Sequence, residues 1–336
     1  MGPTSESLWC MTETELSSFL NEERYKDKPR HVRFYAPSFM YYKTSYFCSS
    51  TNNFPTISVT GKDCPLKCKH CGGIVLDTMY PATTPMALYA LCEKLKKDGA
   101  QGCLISGGCS PNGSVPLQRF IETIGRVKRE LGLTVFVHTG IVDLPAANAL
   151  KKAGVDAALL DVIGSDETIR NVYKLNLTVK DYENSIRALN CATVAYVPHV
   201  VVGLDYGKLK GELNALKMIS QFKPSALVII AFMPIHGTEM ARVRPPGSLE
   251  IARVTATARA MFPETPLVLG CMRPRDESRS QTEILAIKAG TDAIAFPTEE
   301  AVKFAESHGY AVSFSPFCCS QIYADIGNSS TSEQKR

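Results

Sequence analysis

Eight short apolar runs recur along the chain, each followed by a segment of helical periodicity, and this alternation leaves few folds open. The strand-like runs lie near Thr56–Thr60, Cys103–Ser106, Thr134–His138, Ala157–Asp161, Thr193–Val202, Ala226–Phe232, Leu267–Leu269 and Ala293–Phe296. Amphipathic helices are expected near Pro85–Lys97, Val115–Leu131, Leu144–Lys152, Lys180–Leu189, Leu209–Gln221, Leu249–Met261, Gln281–Lys288 and Thr298–Ser307. Strands that are apolar without alternation are buried on both faces, as in parallel sheets covered by helices. Eight such units in one domain predict an α/β fold, a (βα)8 TIM-type barrel. A six-unit partial barrel with the last two units appended is the runner-up.

An internal echo supports the repeated unit. Lys152-Ala-Gly-Val-Asp-Ala-Ala-Leu returns as Lys288-Ala-Gly-Thr-Asp-Ala-Ile-Ala, with a looser copy at Asp98-Gly-Ala-Gln-Gly-Cys-Leu-Ile. In each, a basic helix end meets a glycine and then an apolar strand. The barrel is expected over residues 54–315. Residues 1–53 form an N-terminal extension, with a helix candidate at Glu13–Arg24. Its aromatic segment from Phe34 to Phe47 is placed to cap the barrel's bottom or cover its top. Residues 316–336 read as a C-terminal loop and a disordered polar tail.

Composition narrows the function classes. The net charge is only +4, with Lys and Arg spread along helices, which argues against nucleic acid as partner. It leaves room for a modest basic face that meets an acidic carrier protein. The longest apolar stretch, Ala226 to Ile235, is too short to span a bilayer. The opening Met1-Gly-Pro-Thr-Ser-Glu lacks the basic-then-apolar pattern of a secretory signal. Twelve cysteines in 336 residues fall well short of a disulfide scaffold. A cytoplasmic, reduced protein is expected, its cysteines being ligands, reactive thiols or core residues.

Three of those cysteines sit in one turn, Cys64-Pro-Leu-Lys-Cys68-Lys-His-Cys71, directly after the first strand and the loop Gly61-Lys-Asp63. Thiolates at this spacing can converge on a 4Fe–4S cluster. Three ligands for four irons leave one iron open to a small molecule, which suits catalysis. Zinc is the alternative, and would want a fourth ligand. The other close pair, Cys318-Cys319, is adjacent and awkward for one tetrahedral ion. The motif resembles that of the radical S-adenosylmethionine (SAM) enzymes. The resemblance implies that SAM binds the open iron and is cleaved to methionine and a 5′-deoxyadenosyl radical. It also implies an external electron donor such as ferredoxin or flavodoxin. His70 stands where that family usually places an aromatic residue against the adenine.

Barrel enzymes carry function where strands end, and the resemblance can be followed from exit to exit. Ser106-Gly107-Gly108-Cys109 is similar to the family's Gly-Gly-Glu segment, whose carbonyls bind SAM's amino group, with Cys109 replacing Glu. A tight turn that needs glycine is the plainer reading. His138 ends the third strand and Asp161 the fourth. The resemblance gives Asp161 the SAM amino group or ribose; a helix cap is the alternative. Pro198 to Asp205, with Val201 and Gly203, resembles the adenine-binding strand. Phe232-Met-Pro-Ile-His-Gly-Thr238 is similar to a Lys-Gly-Thr-Pro turn of biotin synthases.

The seventh exit, Leu269-Gly-Cys271-Met-Arg-Pro-Arg275, places a cysteine and two arginines at the mouth. Arg275 falls where biotin synthases put an arginine ligand of their second cluster. The cysteines of that cluster are replaced by Phe136 and Val197, so a biotin synthase is not expected. A different second iron–sulfur cluster can be built from Cys271 with Cys318 or Cys319, with Cys48 as a further candidate. Inert buried thiols are the alternative for each, and the preferred reading for Cys10, Cys92, Cys103 and Cys191.

Across residues 32–320 the chain looks like biotin synthase-like proteins that form the split lipoyl synthase of archaea and anaerobic bacteria. Its anchors are Ile57 to Cys64, Ile105 to Gly108, His138 to Val142 and Gly270 to Pro274. That resemblance implies sulfur insertion into an octanoyl chain on a carrier protein or peptide, shared with a second radical SAM subunit. An unactivated C–H bond needs a radical cofactor. Two other classes stay open. One is a radical SAM mutase or cofactor-maturation enzyme without sulfur insertion; the other is a non-catalytic, metal-bound scaffold subunit.

Overall fold

The computed structural model describes residues 3–22, 31–49 and 52–326. Eleven strands form one parallel sheet: β1 His31–Tyr35, β2 Thr56–Ser58, β3 Tyr80–Pro81, β4 Gly102–Ser106, β5 Thr134–His138, β6 Ala157–Asp161, β7 Tyr196–Val202, β8 Leu227–Ala231, β9 Leu267–Leu269, β10 Ala293–Ala295 and β11 Ala311–Ser315. The sheet order is β11-β1-β10-β9-β8-β7-β6-β5-β4-β2-β3. The eight expected strands are all present, side by side and in sequence order. The architecture is the α/β, TIM-type fold expected of a radical SAM chain, in the form of a curled, open half-barrel.

Direct closure of the eighth strand on the first does not occur. Among the described residues, β10 pairs instead with β1, and β1 pairs in turn with β11. The expected extension therefore supplies a strand to the sheet. His31-Val-Arg-Phe-Tyr35 alternates exposed and buried positions at its start, and Val32, Phe34 and Tyr35 are fully buried. The aromatic stretch that follows covers this side of the sheet: Phe39 and Tyr42 meet Phe296, while Tyr46 and Phe47 stack on Phe314.

The C-terminal segment fills the curl. Cys319 and Ile322 are buried among inward side chains of Phe136, Leu159, Val197, Val228 and Val268. Phe317 packs edge-on to Phe54, and the Tyr323 hydroxyl donates to the Asp156 carbonyl at 2.7 Å. The expected tail of residues 328–336 lies outside the described residues.

Local signals explain the helices. Thr84 caps Pro85–Lys97 by accepting from the Ala87 N–H, and Asp143 caps Leu144–Ala153 by accepting from Ala146. The echoed glycines end their helices in the left-handed region, Gly99 at φ 97°, Gly154 at 77° and Gly290 at 96°, where a β-carbon would be strained. The expected helix over 115–131 instead breaks into a 3-10 turn, a six-residue α segment Ile121–Arg126 and a π turn to Leu131. The helix candidate near residue 13 spans Glu13–Asn21; its expected end at Arg24 lies outside the described residues. This helix and Ser5–Cys10 bury Leu8, Leu16 and Leu20 against Ala252, Ala256 and Leu285.

Candidate active site

The triplet loop follows β2, the strand that pairs with β4. Its turn is held by backbone bonds: the Cys71 N–H donates to the Cys68 carbonyl at 3.2 Å and the Gly72 N–H to the same carbonyl at 2.7 Å. Lys69 N–H donates to Val172 at 2.9 Å and ties the loop to the β6 exit segment. Gly72 and Gly73 continue at φ 55° and 83°, a path other residues follow only with strain. Cys64 and Cys68 are buried and Cys71 half-buried.

Ligand atoms of Cys68, His70 and Cys71 lie within 4.8 Å of one another. The thiol contact between Cys68 and Cys71 lowers the pKa of Cys71 and raises that of Cys68, which burial raises further. A deprotonated thiol beside a second one is the state from which soft metal centres are bound. His70 packs near Tyr173, ring centroids 5.0 Å apart, and its buried Nδ1 has no hydrogen-bond partner among the described residues.

The β4 exit presses on this loop. A β-carbon on Gly108 would stand 2.1 Å from the Asp63 carbonyl oxygen and 2.6 Å from Cys64 Cα. Gly107 would meet Thr60 and Val59 at 3.2 Å. The Gly108 N–H donates to Thr60 Oγ1 at 2.7 Å. Close approach, rather than turn formation alone, thus requires glycine at 108. Gly108→Ala is expected to push the loop off Cys64, costing about 1–3 kcal/mol as an overpacking change. Thermal unfolding and iron content after reconstitution check this, with both falling; a variant equal to the parent in both would refute it.

Asp161 and His199 are direct neighbours across β6 and β7. His138, on β5, faces His199 with ring centroids 5.7 Å apart. Burial lowers the pKa of His138, and burial together with His138 brings His199 down to about 4. Both imidazoles are therefore neutral near pH 7. The Tyr173 hydroxyl donates to Asp161 Oδ2 at 3.4 Å, so a polar line runs from His70 through Tyr173 to Asp161. Val201 is half-buried on β7. Gly203, at φ 72°, lies against Pro246, and its N–H donates to Glu212 Oε1 at 2.8 Å. Burial raises the Glu212 pKa to about 7, and its Oε2 has no partner among the described residues.

A second thiol group lies inside the curl. Cys271, Cys318 and Cys319 all pack against the interior core. Burial raises the Cys271 pKa to about 11, and Cys318 adds to the rise. Contact between the two adjacent thiols lowers Cys318 and raises Cys319. Cys48 is exposed, with its thiol toward the Ser49 carbonyl. Of the two arginines expected at the mouth, only Arg275 is exposed, against the Met40 sulfur. Arg273 is buried in an ion pair with Glu283 at 2.5 Å. An arginine without its own carboxylate partner in the sequence reads as a surface group; Glu283, ten residues on and fully buried, reverses that.

Sequence reasoning passed over Tyr173, His199 as a ring partner of His138, and Glu212. Tyr173 lies in a loop without a motif. Glu212 reads as an ordinary acidic helix start, and only its burial beside Gly203 marks it.

Residues 58–208 match the model of the radical SAM superfamily. The cysteine loop, residues 64–71, lies within the matched stretch, which spans somewhat under half of the chain. Among curated proteins, the biotin synthase of Leptospira biflexa is 25% identical over 222 residues, covering 62% of this chain and 60% of the relative. The biotin synthase of Neorickettsia sennetsu is 26% identical over 248 residues, 71% of this chain and 74% of the relative. Among solved structures, methylornithine synthase PylB aligns with a TM-score of 0.57 at 16% identity over 92% of this chain and 97% of that one. The hydrogenase maturase HydG aligns at 0.64 and 15% identity, over 93% and 72%. Radical SAM enzymes use a 4Fe–4S cluster and SAM, and three thiols on one loop, with those of Cys68 and Cys71 close together, fit such a cluster. Among the described residues, no helix is long and apolar enough to cross a membrane.

Proposed function

We propose that Cys64, Cys68 and Cys71 hold the 4Fe–4S cluster at which SAM is reductively cleaved, and that the enzyme inserts sulfur into a protein-bound octanoyl chain as one of two lipoyl synthase subunits. When bound, the cluster and SAM supply a 5′-deoxyadenosyl radical that takes hydrogen from an unactivated C–H bond. His70 and the half-buried Val201 flank the adenine, and Gly203, held by Glu212, offers its backbone to the base. The Gly107-Gly108 turn presents carbonyls to the methionyl amino group. Asp161, oriented by Tyr173, accepts from SAM's amino group or ribose, with His138 beside it.

The observation that carries sulfur insertion is the gathering of Cys271, Cys318 and Cys319 in the interior of the curl. Three thiols from segments about fifty residues apart suit a second iron–sulfur cluster, with Arg275 next to Cys271, and such a cluster is a sulfur source. Exposed Ile74, Val75, Tyr80 and Tyr206 near the triplet loop, with Lys69 on Tyr206, offer an apolar and basic rim to an acidic carrier domain. A second radical SAM subunit and a ferredoxin or flavodoxin, in the cytoplasm, complete the reading.

Anaerobic reconstitution followed by mass spectrometry of an octanoyl-lysyl peptide tests it. Sulfur added to the peptide supports the reading, and SAM cleavage with the peptide unchanged in the presence of both subunits overturns it. A Cys271→Ala, Cys318→Ala, Cys319→Ala variant is expected to keep SAM cleavage, lose all sulfurated product and hold about half the parent's iron. Unchanged iron in that variant would exclude the second cluster.

A further inference from the structure

We infer that Cys109 is the fourth iron ligand of the SAM-free enzyme, a thiolate that covers the iron left open by the triplet and yields it to SAM. The inference rests on the reading that Cys64, Cys68 and Cys71 hold a 4Fe–4S cluster. It goes beyond that reading, because a three-cysteine site by itself says nothing of what occupies the remaining iron before SAM arrives.

Position is the first argument. Cys109 directly follows Gly107-Gly108 at the exit of β4, the neighbour of β2 in the sheet. Gly108 is pressed onto Asp63 and Cys64 and bonded to Thr60. The backbone of residue 109 is thereby fixed against the residue that begins the triplet. A loop that only turned the chain would not need that contact.

The thiol environment is the second. Cys109 packs against the same core group as Cys64, Cys68 and Cys71. Burial raises the Cys109 pKa, Cys64, Asp161 and Cys71 add to the rise, and Cys109 adds to the rise at Cys68, so Cys109 stands near the triplet and Asp161. This is a set of four thiols from two adjacent loops. Among the described residues, the three-ligand group within 4.8 Å contains Cys68, His70 and Cys71 and not Cys109. Thiols that ligate different irons of one cluster need not touch, so a ligand of a separate iron can stand outside that group.

Chemistry is the third. Thiolate is a soft ligand that iron–sulfur centres favour over water. Binding of Cys109 to iron releases its thiol proton to solvent. When SAM displaces it, SAM's ammonium group loses a proton to ligate through nitrogen, and the freed thiolate takes one up. The exchange balances in protons and changes no oxidation state. A carboxylate at this position, as in the Gly-Gly-Glu segment the turn resembles, is a harder ligand.

The test compares the full-length parent with Cys109→Ala and Cys109→Ser after anaerobic reconstitution. Each is exposed briefly to a mild oxidant without SAM, and the 3Fe–4S product is counted by electron paramagnetic resonance. The alanine variant is expected to lose its fourth iron several-fold more readily than the parent, and SAM added beforehand is expected to abolish the difference. Equal conversion of parent and variants without SAM would overturn the inference while leaving the triplet's role intact. A parent that assembles no four-iron cluster would overturn both. Mössbauer spectra of the parent alone give a reading that needs no variant. Four sulfur-ligated irons, one of which changes on SAM addition, are expected; one iron already bearing a water-type signature without SAM would overturn the inference.

Discussion

Replacing Cys64, Cys68 and Cys71 together by Ala is expected to leave a folded protein with no radical chemistry. 5′-Deoxyadenosine formation should fall to background, and reconstituted iron should drop by about four per chain, because all three thiolate ligands are lost at once. The fold should survive. The loop's turn is made by backbone bonds from Gly72 and Lys69 that an alanine leaves in place, and although Cys64 and Cys68 belong to the main core, alanine keeps their β-carbons there. Circular dichroism and thermal unfolding separate this from misfolding. SAM cleavage retained in the folded triple variant would remove the triplet from the mechanism.

The largest effect on stability is expected at Arg273. Its side chain is 1% exposed and Glu283 is fully buried. The guanidinium bonds Glu283 and also the carbonyls of Gly270 and Phe296, at 2.5 and 3.2 Å. It therefore links the ends of β9 and β10. Glu283 in turn accepts from the Thr298 N–H at 2.6 Å and its hydroxyl at 2.7 Å. Arg273→Ala leaves a buried carboxylate short of one partner and the Gly270 carbonyl without its donor, while Phe296 keeps Arg279, a loss of about 3–5 kcal/mol. Denaturant unfolding measures it, and a loss below about 1 kcal/mol would show that Arg279, 3.1 Å from Glu283, carries the network alone. Arg273→Met combined with Glu283→Leu should cost less than the single alanine change, since no buried charge remains.

Much of the fold could be read from the sequence because its signals are local. Strand runs such as Thr134–His138 declare burial on both faces through apolar residues alone. The glycines of the echoed turn end three helices by a backbone conformation that is decided within a few residues. The cysteine triplet is of the same kind. Its spacing fits one loop, which keeps Cys68 and Cys71 side by side wherever that loop is placed.

What the sequence could not determine is pairing between distant segments. His31–Tyr35 is an unremarkable five-residue run, and its partners at Ala293 and Ala311 lie more than 250 positions away. The same holds for the convergence of Cys271 with Cys318 and Cys319, the approach of His138 to His199, and the concealment of Arg273 by Glu283. Gly107 and Gly108 read as turn glycines, and only the folded chain shows Cys64 against Gly108. The sequence by itself determined the repeating unit, the parallel sheet and the cluster loop, because each follows from torsional preference and burial over a few residues. The tertiary structure alone decided where the curl stays open, which loop presses on the triplet and which charges are hidden. Those depend on which surfaces fill the remaining space when the sheet curls, a packing condition on the whole chain that no local run of residues records.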